Sequence, residues 1–446
     1  MYKLSRFMIS LVDKDNNLLV FNPLSNKYYR FFNVGNLSES EMLQMFLNDK
    51  IKDRMIQNGF LILKDKNEDE TVDWLYQNCV KNRDRLDIVI LTTNACNFDC
   101  IYCFQHKNNS TLNSVQYDGI LEFIKLKLSE HTYKNIRIRW FGGEPLLSKD
   151  NIINFSKKLK HYCASQRISF GASMTTNGYL LDIDTFRNLY ESKVISYQIS
   201  VDGTREIHNR NRPLKNGQGT FERIMSNLIN IRDQAPYSMF NINVRINFSN
   251  DLLLYADEII QYYRDYFNDD RRFLFSFIPV FDWSNTDEDI EKANNISPFL
   301  TTHQEVLNLM KKYASSVRFE MWRELLIASN HCWAGTKHGY CINGNGEILK
   351  CDFKLEGFPE NIIGQISAAD GSVTLDEKKS SMWEFECPME RCYLCKSFPM
   401  CLSTMCGAAR VENKMDKKCE RELEILKNYL EIESYSKNNL FEDVLI

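Results

Sequence analysis

"LTTNACNFDCIYCFQ" (residues 91–105) places Cys96, Cys100 and Cys103 in a C-x3-C-x2-C spacing, directly after an apolar run. Iron–sulfur clusters are held by cysteine thiolates, usually four of them. Here three are local, and no His or Asp stands at a fourth regular position. A cluster with three protein ligands keeps one iron open for a small molecule, and the aromatics Tyr102 and Phe104 are placed to shield it from water. The competing reading is a zinc knuckle with a distant fourth ligand, although zinc sites more often use C-x2-C pairs.

The rest of the chain narrows the choice. Its 446 residues suffice for two or three domains with substantial cores. A net charge of −4 offers no general basic surface for nucleic acid or anionic membrane. Lys3, Arg6 and Asp13 interrupt the opening apolar stretches, so no signal-peptide core is expected. No window approaches the roughly 18 apolar residues of a membrane span. A soluble, cytoplasmic protein is therefore expected, in a compartment that keeps thiols reduced. Of the 14 cysteines, three lie in 96–103 and nine in 332–419, leaving Cys79 and Cys163 isolated as small buried hydrophobes. Clusters of this kind in a reducing compartment point to metal ligation rather than disulfides.

Residues 1–85 read as a small module of their own. "FMISLVDKDNNLLVFNP" alternates about a turn as a β-hairpin, and "NKYYRFFNV" supplies another strand. "SESEMLQMFLNDKIKDRMIQNG" predicts helix, with Ser38 and Glu41 in capping-box spacing and Gly59 as the stop, before a short strand "FLIL". The pattern is winged-helix-like. Over residues 86–280 six strand-like runs ("LDIVILTT", "NIRIRWFGG", "ISFGASMTTNG", "VISYQISVDG", "NINVRINFS", "RRFLFSFIPV") alternate with helical stretches. The fold class is therefore α/β, a partial (β/α)6 TIM-like barrel with its polar residues at the C-terminal ends of the strands. The barrel is expected over 86–300, with 301–330 as a bridging linker. Residues 331–425 form a cysteine-rich region with little apolar core, which ligation would have to hold together. A helix and tail over 426–446 complete the chain.

The position of the cysteine loop, at the top of the first barrel strand, resembles the radical S-adenosylmethionine (SAM) superfamily. "ACNFDCIYCF" is very similar to its signature, including the aromatic before the third cysteine. Further motifs fall in the family's order. "FGGEPLL" resembles the loop that meets the SAM amino group, implicating Gly142, Gly143 and Glu144. "MTTNG" resembles the segment near ribose and methionine, implicating Thr176 and Asn177. "QISVDGTREIHNRNRP" looks like the next strand end, with Ser200 and Asp202 near the cofactor and Arg212 matching the arginine that meets the SAM carboxylate. Each motif alone is also an ordinary turn; four in one order, each after a strand, are not. The resemblance implies a 4Fe-4S cluster whose open iron binds SAM, and cleavage of SAM to a 5′-deoxyadenosyl radical that abstracts hydrogen.

The distal cysteines run Cys332, Cys351, then Cys392-x2-Cys395-x5-Cys401-x4-Cys406, and finally Cys419. This is similar to the SPASM extension of radical SAM enzymes, which binds two auxiliary 4Fe-4S clusters. The family usually shows x3 rather than x4 before the cysteine matching Cys406. By resemblance Cys332, Cys351 and Cys406 hold one cluster, and Cys392, Cys395, Cys401 and Cys419 the other. The missing eighth ligand is Cys341, with Cys387 as the competitor. Asp352, directly after Cys351, resembles the aspartate that serves as general base in sulfatase-maturing SPASM enzymes. His208, His331 and His338 are more plausible in structural or surface roles than in a substrate pocket.

The module over 1–85 resembles the recognition element of ribosomal-peptide (RiPP) maturases, which takes a leader peptide as an added strand. The expected function is thus a radical SAM peptide maturase that oxidatively cross-links a precursor peptide, through a thioether or a carbon–carbon bond. Its partners would be that peptide and an electron donor such as ferredoxin or flavodoxin. The alternative enzyme is an anaerobic sulfatase maturase that generates formylglycine; the alternative of another class is a non-catalytic zinc-bound peptide-binding protein.

Overall fold

The computed structural model describes residues 1–444 except 104, 106, 281–301, 320–331, 356, 386–387, 403–405, 413–414 and 437–439, and leaves aside the side chains at 303 and 415–422. The candidates His331 and Cys387 lie outside the described residues, as does the side chain of Cys419. The described chain divides into two compact units, one of residues 84–309 and 337–382, the other of 1–83, 310–336 and 383–446.

The first unit is built on six parallel strands: β6 (Arg85–Leu91), β7 (Asn135–Phe141), β8 (Ser169–Thr176), β9 (Val194–Ser200), β10 (Asn241–Phe248) and β11 (Phe273–Pro279). They lie side by side in chain order. Such an order has no reversal point, so every helical crossover falls on one face and the sheet curls as a partial barrel. Helices Ser114–Glu130, Lys149–Ser165, Ile183–Glu191, Phe221–Gln234 and Ala256–Phe267 make those crossovers. β6 is buried along most of its length, with Leu86, Ile88, Val89, Ile90 and Leu91 all inside. Burial on both faces is what a parallel strand covered by helices requires. The Asn113 side chain and Gln116 form a reciprocal cap that starts the first crossover helix.

The expected cysteine-rich domain over 331–425 is divided between the two units. β12 (Gly339–Ile342) pairs parallel to β6, and β13 (Glu347–Leu349), β14 (Ile362–Ile366) and β15 (Val373–Leu375) follow it antiparallel. The barrel sheet thus extends to ten strands. The physical reason is that β6 offers an unpaired edge, and the apolar run Tyr340–Cys341–Ile342, buried throughout, satisfies it.

The second unit holds β2 (Ile9–Val12), β3 (Leu18–Asn22) and β4 (Lys27–Phe31) as an antiparallel meander, with β16 (Glu442–Val444) added to β4. A separate pair joins β1 (Tyr2–Leu4) to β5 (Leu61–Leu63). The predicted cap is present: Ser38 and Glu41 exchange bonds at the start of helix Glu39–Phe46. Gly59, at φ +70°, follows the end of helix Lys52–Gln57. Both faces of the meander are covered, one by Phe46 and Phe60, the other by Met400, Leu426 and Leu430. Cys392 and Cys395 pack with Phe7, Val72 and Tyr76 in a third core of the same unit. No helix among the described residues is long and apolar enough to cross a membrane.

Candidate active site

A cavity of about 410 Å³ opens at the C-terminal ends of the parallel strands. Cys96, Cys100 and Cys103 line it from the loop after β6, Gly142 and Gly143 from the loop after β7, and Thr176 and Asn177 from the end of β8. Ser200 ends β9, Arg245 and Asn247 come from β10, and Arg212 and Asp352 complete the wall. With Tyr102, which also lines the cavity, eleven of the residues singled out from the sequence are therefore brought to one place.

The glycines serve the cysteine loop itself. Gly143 N donates to Thr93 O at 2.8 Å and Glu144 N to Ala95 O at 2.9 Å, so the two loops run edge to edge. A Cβ on Gly142 would stand 2.4 Å from Thr93 O, and one on Gly143 2.2 Å from Ala95 O. Gly142 also sits at φ +131°. Glu144 is fully buried behind the cavity wall rather than in it. It accepts from Thr176 Oγ1 (2.6 Å), Asn177 N (2.8 Å) and Leu146 N (3.0 Å), tying the glycine loop to the end of β8. Burial pushes its carboxyl up, against these donors and Arg212. Asn177 in turn donates to Asn97 Oδ1 at 2.8 Å, inside the cysteine loop.

Asp202 likewise lies behind the wall, fully buried. It accepts from Tyr102 Oη, from Asn247 N (3.0 Å) and from Asn247 Nδ2 (3.1 Å), and pairs with Arg212 at 3.7 Å. Arg212 Nη1 donates to Tyr102 Oη at 2.9 Å. The aromatic of the cysteine motif is thus a strut between the loop and the end of β9. His208, also buried, accepts from Asp202 N at Nδ1 (3.0 Å) and bridges to Thr220 Oγ1 through Nε2 (3.0 Å), which fixes the neutral Nε2–H tautomer. Burial, with Arg212 nearby, holds its pKa well below the usual histidine value. The histidine is structural, as its sequence context suggested.

Several lining residues carried no motif. Lys107 donates to Phe98 O at 2.8 Å and lies near the three thiols. Arg139 on β7 pairs with Asp352, which is buried at 6% exposure rather than on an open turn. Arg245 donates to Asn247 Oδ1 at 2.8 Å. The alternation "NIRIRW" does put Arg137 and Arg139 on one face of β7, a signal available in the sequence.

The distal cysteines are spread over both units. Cys341, fully buried in β12, has its thiol pushed well up, first by burial and then by Asp352 and Cys351. Cys351 N donates to Asn361 Oδ1 at 2.7 Å. In the other unit Cys332 and Cys406 begin short helices, Trp333–Gly335 and Gly407–Val411, that pack together. Cys392, Cys395 and Cys401 follow one another there on short turns. The described cysteines form no disulfide.

The cavity's chemistry fits a thiolate-bound cluster with SAM. Burial pushes the Cys100 thiol up to about 11 and also raises Cys96, so ligation must displace their protons. Arg212 and Lys107 supply the compensating positive charge. Arg212 Nε is buried with no hydrogen-bond partner, a donor suited to a carboxylate.

Residues 90–251 match the family model described as the Radical SAM superfamily. A cysteine-type anaerobic sulfatase-maturating enzyme of Clostridium novyi is 27% identical over 334 residues, 69% of this chain and 84% of that protein. The radical SAM cyclopropyl synthase TigE of Paramaledivibacter caminithermalis is 24% identical over 298 residues, 57% of this chain and 60% of that one. Among solved structures, native anSMEcpe with bound AdoMet and Cp18Cys peptide aligns with a TM-score of 0.52 at 18% identity, over 78% of this chain and 97% of that chain. At that identity the likeness speaks to the fold.

Proposed function

We infer from the Radical SAM match over residues 90–251 and the sulfatase-maturase relative that the chain is a radical SAM enzyme of the maturase kind, and that it cross-links a ribosomally made precursor peptide by removing two hydrogens from it. The first inference sets aside the non-catalytic zinc reading. The observation that carries the peptide substrate is the meander β2–β4, a small sheet outside the barrel unit with a strand edge able to take an extended peptide. Residues 1–85 would bind the leader, and the barrel cavity would receive the core peptide, where a thioether or carbon–carbon bond forms.

Cys96, Cys100 and Cys103 would hold a 4Fe-4S cluster, and Gly142, Gly143, Thr176, Asn177, Ser200 and Arg212 would surround SAM. When bound, this pair supplies a 5′-deoxyadenosyl radical for hydrogen abstraction. Arg212, locked by Asp202 and Tyr102, offers its buried Nε to a carboxylate. Glu144, behind the wall, would act on the site by bracing the glycine loop and the end of β8 rather than by meeting SAM. Asp202 acts behind the wall, orienting Arg212 and Asn247. Asp352, oriented by Arg139 on the cavity wall, would take a proton from a substrate thiol or hydroxyl.

Two auxiliary 4Fe-4S clusters on Cys332, Cys341, Cys351 and Cys406, and on Cys392, Cys395, Cys401 and Cys419, would accept the second electron of each oxidation. The peptide's first electron would leave with the abstracted hydrogen atom, and ferredoxin or flavodoxin would supply the separate electron that SAM cleavage consumes. Supporting the fourth ligand, Cys341 pairs across the sheet with Leu349, two residues before Cys351. The test is co-expression with a short peptide encoded beside the gene, followed by intact mass spectrometry. Loss of two hydrogens per event, abolished by Cys100→Ala, supports cross-linking; an unchanged peptide with continued SAM cleavage sinks it.

Two observations favour a second reading, formylglycine formation: the Clostridium novyi match covers 84% of that maturase, and Asp352 lies in the cavity. Loss of sulfur from a sulfatase-like cysteine peptide distinguishes it from cross-linking, which keeps every heavy atom.

A further inference from the structure

β4 is paired on one side by β3 and on the other by a segment more than 400 residues away in sequence. β16 runs parallel to it, with Glu442 opposite Tyr29, Asp443 opposite Arg30 and Val444 opposite Phe31. A pairing of three residues gives little backbone ladder, so side chains decide the register. Phe441 enters the core on one face of the sheet, edge-on to Tyr28 at 5.4 Å and beside Leu426 and Leu430. Val444, an odd number of residues on, enters the core on the opposite face with Phe31 and Phe46. Between these anchors the two carboxylates meet cations of β4: Glu442 reaches Lys27 Nζ at 3.1 Å and Asp443 reaches Arg30 Nε at 3.8 Å.

A strand edge with an apolar socket on each face and two cations between them is a recognition surface for an extended peptide. Main-chain bonds hold the strand, and the sockets and cations choose its side chains. Both ion pairs are largely exposed on their acidic side, at 46% and 54%, so salt weakens them and the occupant is held lightly.

We propose that the edge of β4 is a docking groove for a peptide strand of aromatic–acidic–acidic–aliphatic character, that β16 is its intramolecular occupant, and that a precursor leader docks by displacing β16. This deepens, and rests on, the reading of the protein as a peptide maturase. Leader binding is then a competition at one edge, and the enzyme is less receptive to peptides that lack the acidic pair.

The test uses a fluorescent synthetic peptide carrying residues 439–446, NLFEDVLI, titrated by anisotropy against the full chain and against a chain ended at Ser436. The shortened chain is expected to bind at least tenfold more tightly. The pair Lys27→Glu and Arg30→Glu, made in the shortened chain, should undo that gain. Equal affinity for the two chains overturns the proposal. So does no binding by a shortened chain whose β2–β4 amides keep their hydrogen-exchange protection. Should the shortened chain not fold, Val444→Asp in the full chain dislodges the occupant while keeping the length, and the same tenfold gain is required. A competition arm separates this proposal from the reading beneath it. A precursor peptide that is cross-linked without displacing the probe overturns the shared edge and leaves the maturase standing. A probe that binds as expected, in an enzyme that modifies no precursor, supports the edge and removes the peptide substrate.

Discussion

The two cysteine-rich stretches are built on opposite principles. The loop carrying Cys96, Cys100 and Cys103 is fastened from outside itself: Ala95 O receives Glu144 N, Asp99 N reaches Pro213 O at 2.8 Å, Ile101 N reaches Asn211 O at 3.1 Å, and Lys215 N reaches Asn97 O at 3.1 Å. The stretch carrying Cys392, Cys395 and Cys401 is fastened mainly to itself. Among the described residues its backbone bonds are short-range, Cys395 N to Cys392 O and Phe398 N to Cys395 O at 3.2 Å each, and it turns through Leu402 at φ +52°. Tertiary support comes from apolar contacts of Cys392, Phe398 and Leu402 with Phe7 and Val72 and from the Tyr393 hydroxyl, which donates to Asp73 Oδ1 at 2.6 Å. A loop braced by strand ends is preorganised and needs its ligand only for chemistry. A run of local turns needs ligation for its fold.

The largest effects would test that contrast directly. Cys100→Ala should reduce SAM cleavage to background while leaving the melting temperature within a degree or two. With the proposed auxiliary cluster on Cys392, Cys392→Ala should lose one cluster's worth of iron and lower the melting temperature several times further, since structural metal sites contribute folding energy outright. Equal destabilisation by the two variants, read by differential scanning calorimetry with iron analysis, would erase the distinction. Next comes Gly143→Ala. Its new methyl group would stand 2.2 Å from Ala95 O, backbone that cannot swing aside. A cost of about 3 kcal/mol is expected from such overpacking, with cluster occupancy falling because the strain is delivered to the cysteine loop. Urea denaturation measures the first, iron content the second.

The same contrast explains what could be read from the chain. The six strands were legible because each is an apolar run ending in a polar motif, and the parallel order followed from helical spacers. Ser38 and Glu41 announced a helix start that the structure keeps. The tasks of Glu144 and Asp202 were not legible. Both types of residue bind ligands or brace walls, and only the three-dimensional arrangement shows their oxygens facing Asn177 N and Asn247 N from behind the cavity. Arg245 and Lys107 were missed because a lone cation on a strand or loop carries no spacing signal, whereas Arg139 was missed although its alternation with Arg137 in "NIRIRW" marks one face of β7. The joining of β12 to β6 and of β16 to β4 was hidden for another reason. Both are edge pairings between segments far apart in sequence, and strands of three or four residues leave too short a pattern to point at a partner.

Titration offers a further contrast, since the meander unit carries a carboxyl that folding disfavours. Glu433 lies buried near Tyr28, accepting from Ser436, and burial raises its pKa to about 7. Because the folded value exceeds the unfolded one, stability is full below the unfolded pKa and is lost as pH rises through the folded value. The meander unit should therefore weaken between about pH 4.5 and about pH 7, by up to roughly 3 kcal/mol at 1.36 kcal/mol per unit. Glu433→Gln should flatten this stretch of the stability curve, measured by urea denaturation from pH 4 to 8. An unchanged slope would mean that other groups carry the dependence.

The smallest effect expected comes from Glu144→Gln, where two costs oppose each other. The carboxylate accepts from three protein donors, two on Oε1 and one on Oε2. An amide oxygen at the Oε1 position keeps Thr176 and Leu146, but its NH2 then faces the N–H of Asn177. That lost acceptor costs about 1–2 kcal/mol. Against it, glutamine needs no desolvation of a charge, the cause that raises the Glu144 carboxyl in the first place. The net loss of stability should be about 1 kcal/mol or less, while SAM affinity falls more than stability because Asn177, on the cavity wall, is the residue left unheld. Calorimetric titration of SAM into the reconstituted enzyme reads that split. A variant that is more stable than the parent and binds SAM equally well would show that Glu144 braces nothing the site depends on.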